Sequence, residues 1–185
     1  MTQLDILLLV CDTLDKLKIN YMLTGAYAVS FYGRPRSTHD IDINISISTH
    51  NVKDIYNAFK DSFYISEEQI EEAIKYQSMF NIIHNETIDK IDFWILKDDE
   101  FDKERFGRKK KKVVSGKAIF ISSPEDVILS KLDWYKKSDI QKHYEDVLGI
   151  FEIQQNKLDI NYIKKWAERL SLLEILGDVI RKCNL

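Results

Sequence analysis

The segment Asp40-Ile41-Asp42-Ile43-Asn44-Ile45 alternates polar and branched apolar residues with the period of two that belongs to a β-strand. Residues two apart on a strand point the same way, roughly 7 Å apart at Cα. Asp40 and Asp42 therefore project together, and Ile41, Ile43 and Ile45 are expected in the core. Two carboxylates held this close repel unless water or a cation lies between them. Paired hard oxygen ligands suit Mg²⁺ or Mn²⁺, which keep several waters and complete their shell with substrate phosphates. A two-metal site would add a third carboxylate from a neighbouring strand. Asp92 fits, because it interrupts the apolar strand pattern of Lys90-Ile-Asp-Phe-Trp-Ile-Leu. Asp89 falls in the preceding turn and is the weaker candidate. The plain alternative is an edge strand whose acids face solvent.

Upstream, Thr24-Gly25-Ala26 joins a short strand pattern to a helical one. A turn there presents the backbone N–H groups of Gly25 and Ala26 and the positive end of a helix dipole to an anion, as a phosphate site requires. An ordinary turn needing glycine for its backbone angles reads the same way. Between turn and acids lie Arg34 and Arg36. Guanidinium forks bind phosphate oxygens bidentately, and Arg36 is the better placed of the two. Thr38 either meets a phosphate or caps the strand, and alternation sets His39 opposite Asp40.

The elements that must carry these residues follow from periodicity. A helix is expected over 4–17, a strand over 19–25, a short helix over 26–32 ended by Gly33 and Pro35, and a strand over 39–47. Two amphipathic helices, the second opened by Ser66, precede strands at 78–84 and 90–96, and a further strand covers 117–123. The basic run 108–112 reads either as a solvated loop or as a landing strip for a polyanion. From Ser123 onward the pattern is helical, with Ser123 as N-cap and Pro124 at the first helical position. The expectation is an α/β (α+β) head over 1–121 and a C-terminal helical domain over 122–185.

Composition agrees with a globular chain: 185 residues, 44% hydrophobic, 31% charged and a net charge of −3, which disfavours a duplex-coating basic protein. Two cysteines far apart make no zinc motif and suit a reducing compartment. The run Ile6–Cys11 is too short to cross a bilayer. The chain is expected in the cytoplasm, without membrane contact.

Taken together, Gly25-Ala26, a short helix, Asp40-Ile-Asp42 and the later Asp92 resemble the DNA polymerase β-type nucleotidyltransferase superfamily. The chain departs from that pattern in placing Ala26 where glycine or serine is usual. The fuller set, GAYAVSFYGRPRSTHDIDI, PEDVILSK and YEDVLGI, is similar to bacterial minimal nucleotidyltransferases of the abortive-infection toxin type. The resemblance implies a mixed sheet flanked by helices. It implies Mg²⁺ or Mn²⁺ on Asp40, Asp42 and Asp92, with NTP as substrate. It implies nucleotide contacts at Gly25, Ala26, Arg36, Thr38 and Lys131, with Asp146 as the partner of Lys131. A plain ion pair between helices would account for Lys131 and Asp146 equally. The implied reaction moves an NMP from NTP to an acceptor hydroxyl on RNA, protein or a small molecule, in a toxin paired with an antitoxin protein. The alternative is a regulatory nucleotide-binding module of the same fold.

Overall fold

The computed structural model describes residues 1–183, so the last two positions of the expected helical domain lie outside the described residues. The head is a seven-stranded mixed sheet in the order β3-β4-β5-β2-β1-β7-β6. Its central strands are β1 (Asn20–Leu23), β2 (Asp40–Ser46) and β5 (Lys90–Ile95). Outside them lie β3 (Phe63–Tyr64) and β4 (Met79–His84) on one side, β6 (Lys110–Val114) and β7 (Lys117–Ile121) on the other. Strand β2 pairs antiparallel with β1 and parallel with β5. The site strands are therefore interior, and the edge-strand alternative for Asp40 and Asp42 does not hold.

The two faces of this sheet differ because the strands alternate. Ile41, Ile43, Ile45, Ile91 and Phe93 are buried on one face. There α3 (Val52–Phe59) brings Phe59 against Phe93, with ring centroids 6.2 Å apart. Helix α4 (Glu67–Tyr76), capped by the Ser66 hydroxyl accepting from the Gln69 N–H, packs on β4. Helix α1 (Gln3–Lys16) lies on β1 and β7. The opposite face carries the acids. Helix α2 (Gly25–Tyr32) packs on β2, and α6 (Pro124–Ser138) and α7 (Gln141–Gln154) pack on α2. Helices α8 (Ile160–Arg169) and α9 (Leu173–Lys182) extend that helical layer.

Three elements escape the sequence patterns, the first being the two-residue strand β3. Helix α5 (Glu100–Gly107) buries Asp102, Arg105 and Phe106, so its inner face is built largely from charged residues satisfied by each other and not from an apolar stripe. The basic run is not a loop. Lys110, Lys111 and Lys112 form the exposed edge strand β6, where lysine blunts pairing with other chains. Arg108, before it, turns inward over the Tyr162 ring, 3.7 Å from its centroid, and pairs with Glu125 at 3.2 Å. Among the described residues no helix is long and apolar enough to cross a membrane.

The apolar face sets the height of β5 against β2, and Phe93 is its largest fully buried contribution there. Phe93→Ala is expected to lower unfolding free energy by about 3–5 kcal/mol, measured by urea denaturation.

Candidate active site

Register decides which side chains meet. Strands β2 and β5 run parallel with Asp40 beside Lys90, Asp42 beside Asp92 and Asn44 beside Trp94. On the acidic face the row thus reads acid–ammonium, acid–acid, amide–indole. The Lys90 ammonium lies 3.0 Å from Asp92 Oδ2 and 3.2 Å from Asp40 Oδ1. The Trp94 indole N–H donates to Asp42 Oδ1 at 3.2 Å. Asp92 is buried and its Oδ1 has no hydrogen-bond partner. Burial raises the Asp92 pKa above the usual carboxylate range, Asp42 and Asp40 push the same way, and Lys90 opposes them. Burial works against the Lys90 charge, but its hydrogen bonds to Asp92 and Asp40 prevail and raise its pKa.

Gly25 is forced by this arrangement. Its φ is +61°, and a Cβ there would stand 2.0 Å from Asp42 Oδ2. The turn is held to β2 by the Thr24 N–H donating to the Asp42 carbonyl at 2.9 Å. Thr24 makes no side-chain cap on α2, so the first-turn N–H groups have no side-chain acceptor and point their dipole toward the acidic row. The start of α2 and the Asp42 carboxylate are thereby immediate neighbours.

The loop between α2 and β2 is strapped along α7. Gln154 donates to the Tyr32 carbonyl at 2.7 Å. A Cβ on Gly33 would meet Ile150 at 2.9 Å, and one on Gly149 would meet Arg34 at 3.1 Å. Arg34 pairs with Glu152. Arg36 then forks onto Asp146, with Nε and Nη2 at 2.8 and 3.0 Å from its two oxygens. Lys131 on α6 reaches the same carboxylate at 3.2 Å. Lys131 and Asp146 are buried, so one carboxylate serves two cations and the cluster keeps a net positive charge. Burial lowers the Lys131 pKa, Asp146 offsets this, and Arg36 adds to the lowering.

The structure thus brings Asp40, Asp42 and Asp92 to one face beside Gly25 and Ala26, and sets Arg36, Lys131 and Asp146 together as a second cluster. Thr38 caps the strand: its hydroxyl donates to the Asp40 carbonyl at 3.1 Å and accepts from the Asp40 N–H at 3.4 Å. His39 is exposed. Among the described residues no three His, Cys, Asp or Glu side chains converge as a preformed metal cluster; the acids are spread along the row with Lys90 between two of them. Sequence reasoning passed over Lys90 and His143, and read Trp94 only as a core or base-stacking aromatic. Lys90 and Trp94 lie two residues either side of Asp92, and His143 lies one helical turn before Asp146, so spacing would have found all three. His143 has a buried Nδ1 without a partner, and burial followed by the Lys131 charge lowers its pKa. Its ring lies 6.3 Å from that of the exposed Trp134, which stands edge-on to Trp94 at 5.9 Å.

A sequence profile of the aminoglycoside-2''-adenylyltransferase family matches residues 6–143. No curated protein sequence matches the chain. Among solved structures, ANT(2'')-Ia in complex with adenylyl-2''-tobramycin aligns with a TM-score of 0.64 at 13% identity, over 92% of this chain and 98% of that one. An antigenic nucleotidyltransferase-like protein from Paracoccidioides brasiliensis aligns at 0.58 and 14% identity, over 94% and 84%. The lincosamide antibiotic adenylyltransferase LnuA bound to lincomycin aligns at 0.54 and 12% identity, over 83% and 98%. At these identities the likeness is one of fold, and the fold is that of the nucleotidyltransferases.

The Gly25–Asp42 contact has a clean test. Gly25→Ala is expected to cost roughly 1–3 kcal/mol of stability through overpacking and the strained φ. In a double-mutant cycle with Asp42→Ala, part of that cost is expected to return, giving a coupling above about 0.5 kcal/mol.

Proposed function

The chain belongs to the aminoglycoside-2''-adenylyltransferase family, and from that premise we propose that it transfers an NMP from NTP to a hydroxyl of a small-molecule acceptor of the aminoglycoside class. The observation that carries the reading is the register of Asp42 beside Asp92, with Gly25 pressed against Asp42. A sheet face bearing three acids next to an uncapped helix start is an arrangement for a triphosphate and a cation. One feature of the site fits a divalent ion: Asp92 Oδ1 is buried without a partner. Asp40, Asp42 and Asp92 would hold Mg²⁺ or Mn²⁺. When bound, such an ion neutralises the triphosphate and the charge that develops on its leaving oxygens.

The remaining work falls to the chain itself. The Gly25 and Ala26 N–H groups receive phosphate oxygens at the start of α2. Arg36 and Lys131 supply positive charge beside them and share Asp146, which keeps both in place before substrate arrives. Thr38 acts on the nucleotide only through the strand start that it caps. Asp92 accepts the acceptor's hydroxyl proton. Its raised pKa makes it a stronger base than an exposed carboxylate. The acceptor oxygen bonds to the α-phosphorus, the bond to the bridging oxygen breaks, and pyrophosphate leaves with that electron pair. We assign residues 1–121 to the nucleotide site and 122–185 to a helical domain that contributes Lys131 and Asp146.

The order of motifs shared with abortive-infection toxins supports a second setting, a toxin restrained by an antitoxin, with RNA or protein as acceptor. The family match supports the small-molecule acceptor, and that is the reading adopted. A regulatory module would bind nucleotide with Mg²⁺ and transfer nothing.

The test is transfer from α-labelled NTPs with Mg²⁺ to a panel of aminoglycosides, with RNA and cell protein in parallel. Label is expected on a small molecule, and Asp40→Ala with Asp42→Ala is expected to abolish it. No labelled product, or labelling that survives loss of both acids, would contradict the proposal. Arg36→Ala is expected to weaken NTP binding about tenfold or more in calorimetric titration, and an unchanged affinity would confine Arg36 to holding Asp146.

A further inference from the structure

We propose that Lys90 is a tethered cation that takes the place of one metal ion in the acidic row, so that the site works with a single divalent ion. The inference rests on the nucleotidyltransferase reading of that site and adds to it how many ions the site accepts. The register of β5 against β2 sets Lys90 directly beside Asp40, and strand alternation sets it on the face of Asp92. Its ammonium touches one oxygen of each, at 3.2 and 3.0 Å. An ion shared by Asp40 and Asp92 would compete with that ammonium for the same two carboxylates. It would then stand within a few ångströms of a positive charge, in a place where Asp92 is buried and screening is weak.

The charge of the row points the same way. Three carboxylates with one ammonium leave a charge of minus two, which one divalent ion neutralises. Without Lys90 the charge is minus three and a second ion is favoured. The Asp42 side of the row is the part that Lys90 leaves open. Asp42 Oδ1 takes the Trp94 N–H, and Asp92 Oδ1 has no partner. A single ion held by Asp42 and its neighbours therefore lies next to Gly25, where the triphosphate is expected, while Lys90 keeps Asp40 and Asp92 from splaying apart.

The experiment counts Mn²⁺ by electron paramagnetic resonance on the full chain saturated with a non-hydrolysable NTP analogue. It compares the parent with Lys90→Met and Lys90→Arg. The parent and Lys90→Arg are expected to bind a single ion. Lys90→Met is expected to bind a second, or to hold the first at least about tenfold more tightly. Thermal unfolding in chelator supplies an independent measurement: Lys90→Met is expected to melt below the parent, and Mn²⁺ is expected to close the gap. Two ions on the parent would overturn the proposal, as would a Lys90→Met variant that matches the parent in ion count, affinity and melting. No ion on the parent but one on Lys90→Met would overturn the single-ion proposal together with the metal-dependent reading of the natural site. No ion on any of the three would end both.

Discussion

Carboxylates placed side by side on a sheet face repel one another, and the organisation of this protein follows from how that repulsion is met. Asp42 and Asp92 are registered neighbours on parallel strands, and Asp40 is one step along. Nothing in strand propensity favours this; Asp is among the residues depleted from strands. The opposite face makes it tolerable. Isoleucines and Phe93, fully buried, lock β2 to β5 so that the acids cannot slip out of register without exposing the core. On the acidic face compensation is local and polar: Lys90 between two acids, the Trp94 N–H on a third, and the positive end of α2 against Asp42.

A second compensation lies at a distance in sequence. The strap from Tyr32 to Arg36 follows α7 from Gln154 down to Asp146, touching it through a carbonyl, two glycines and two arginines. Glycine at 33 and 149 is a matter of clearance here, since a Cβ at either position would meet the other segment. The strap ends with two cations on one buried carboxylate, a cluster with positive charge to spare. The acidic row and the positive cluster are near enough for Asp42 to raise the Lys131 pKa, and the proposed metal-bound polyphosphate would draw on both.

Much of this was legible in the sequence where the reasons are local. Alternation over Asp40–Ile45 gave both the buried face and the acid pair, and the apolar run around Asp92 marked the third acid as anomalous. The helix caps at Ser66 and Ser123 were legible because a cap is a contact across three residues. Lys90 is equally legible, two positions before Asp92 on the same strand face. The rest is not local. The Arg36–Asp146 pair joins residues 110 apart, and spacing alone gives no register between a loop and a distant helix. Helix α5 was hidden by its charged inner face, and β6 by lysines, which are poor strand formers tolerated at an exposed edge.

The central claim is that the acidic row and the Gly25 turn together bind a metal-bound triphosphate. A crystal structure with Mn²⁺ and a non-hydrolysable NTP analogue, with anomalous scattering collected at the manganese edge, tests it most directly. The account predicts an anomalous peak against Asp42 and its neighbouring acids, phosphate oxygens on the Gly25 and Ala26 N–H groups, and Arg36 and Lys131 facing the phosphates. Nucleotide bound elsewhere, or bound at the turn with no manganese on the acids, would contradict it.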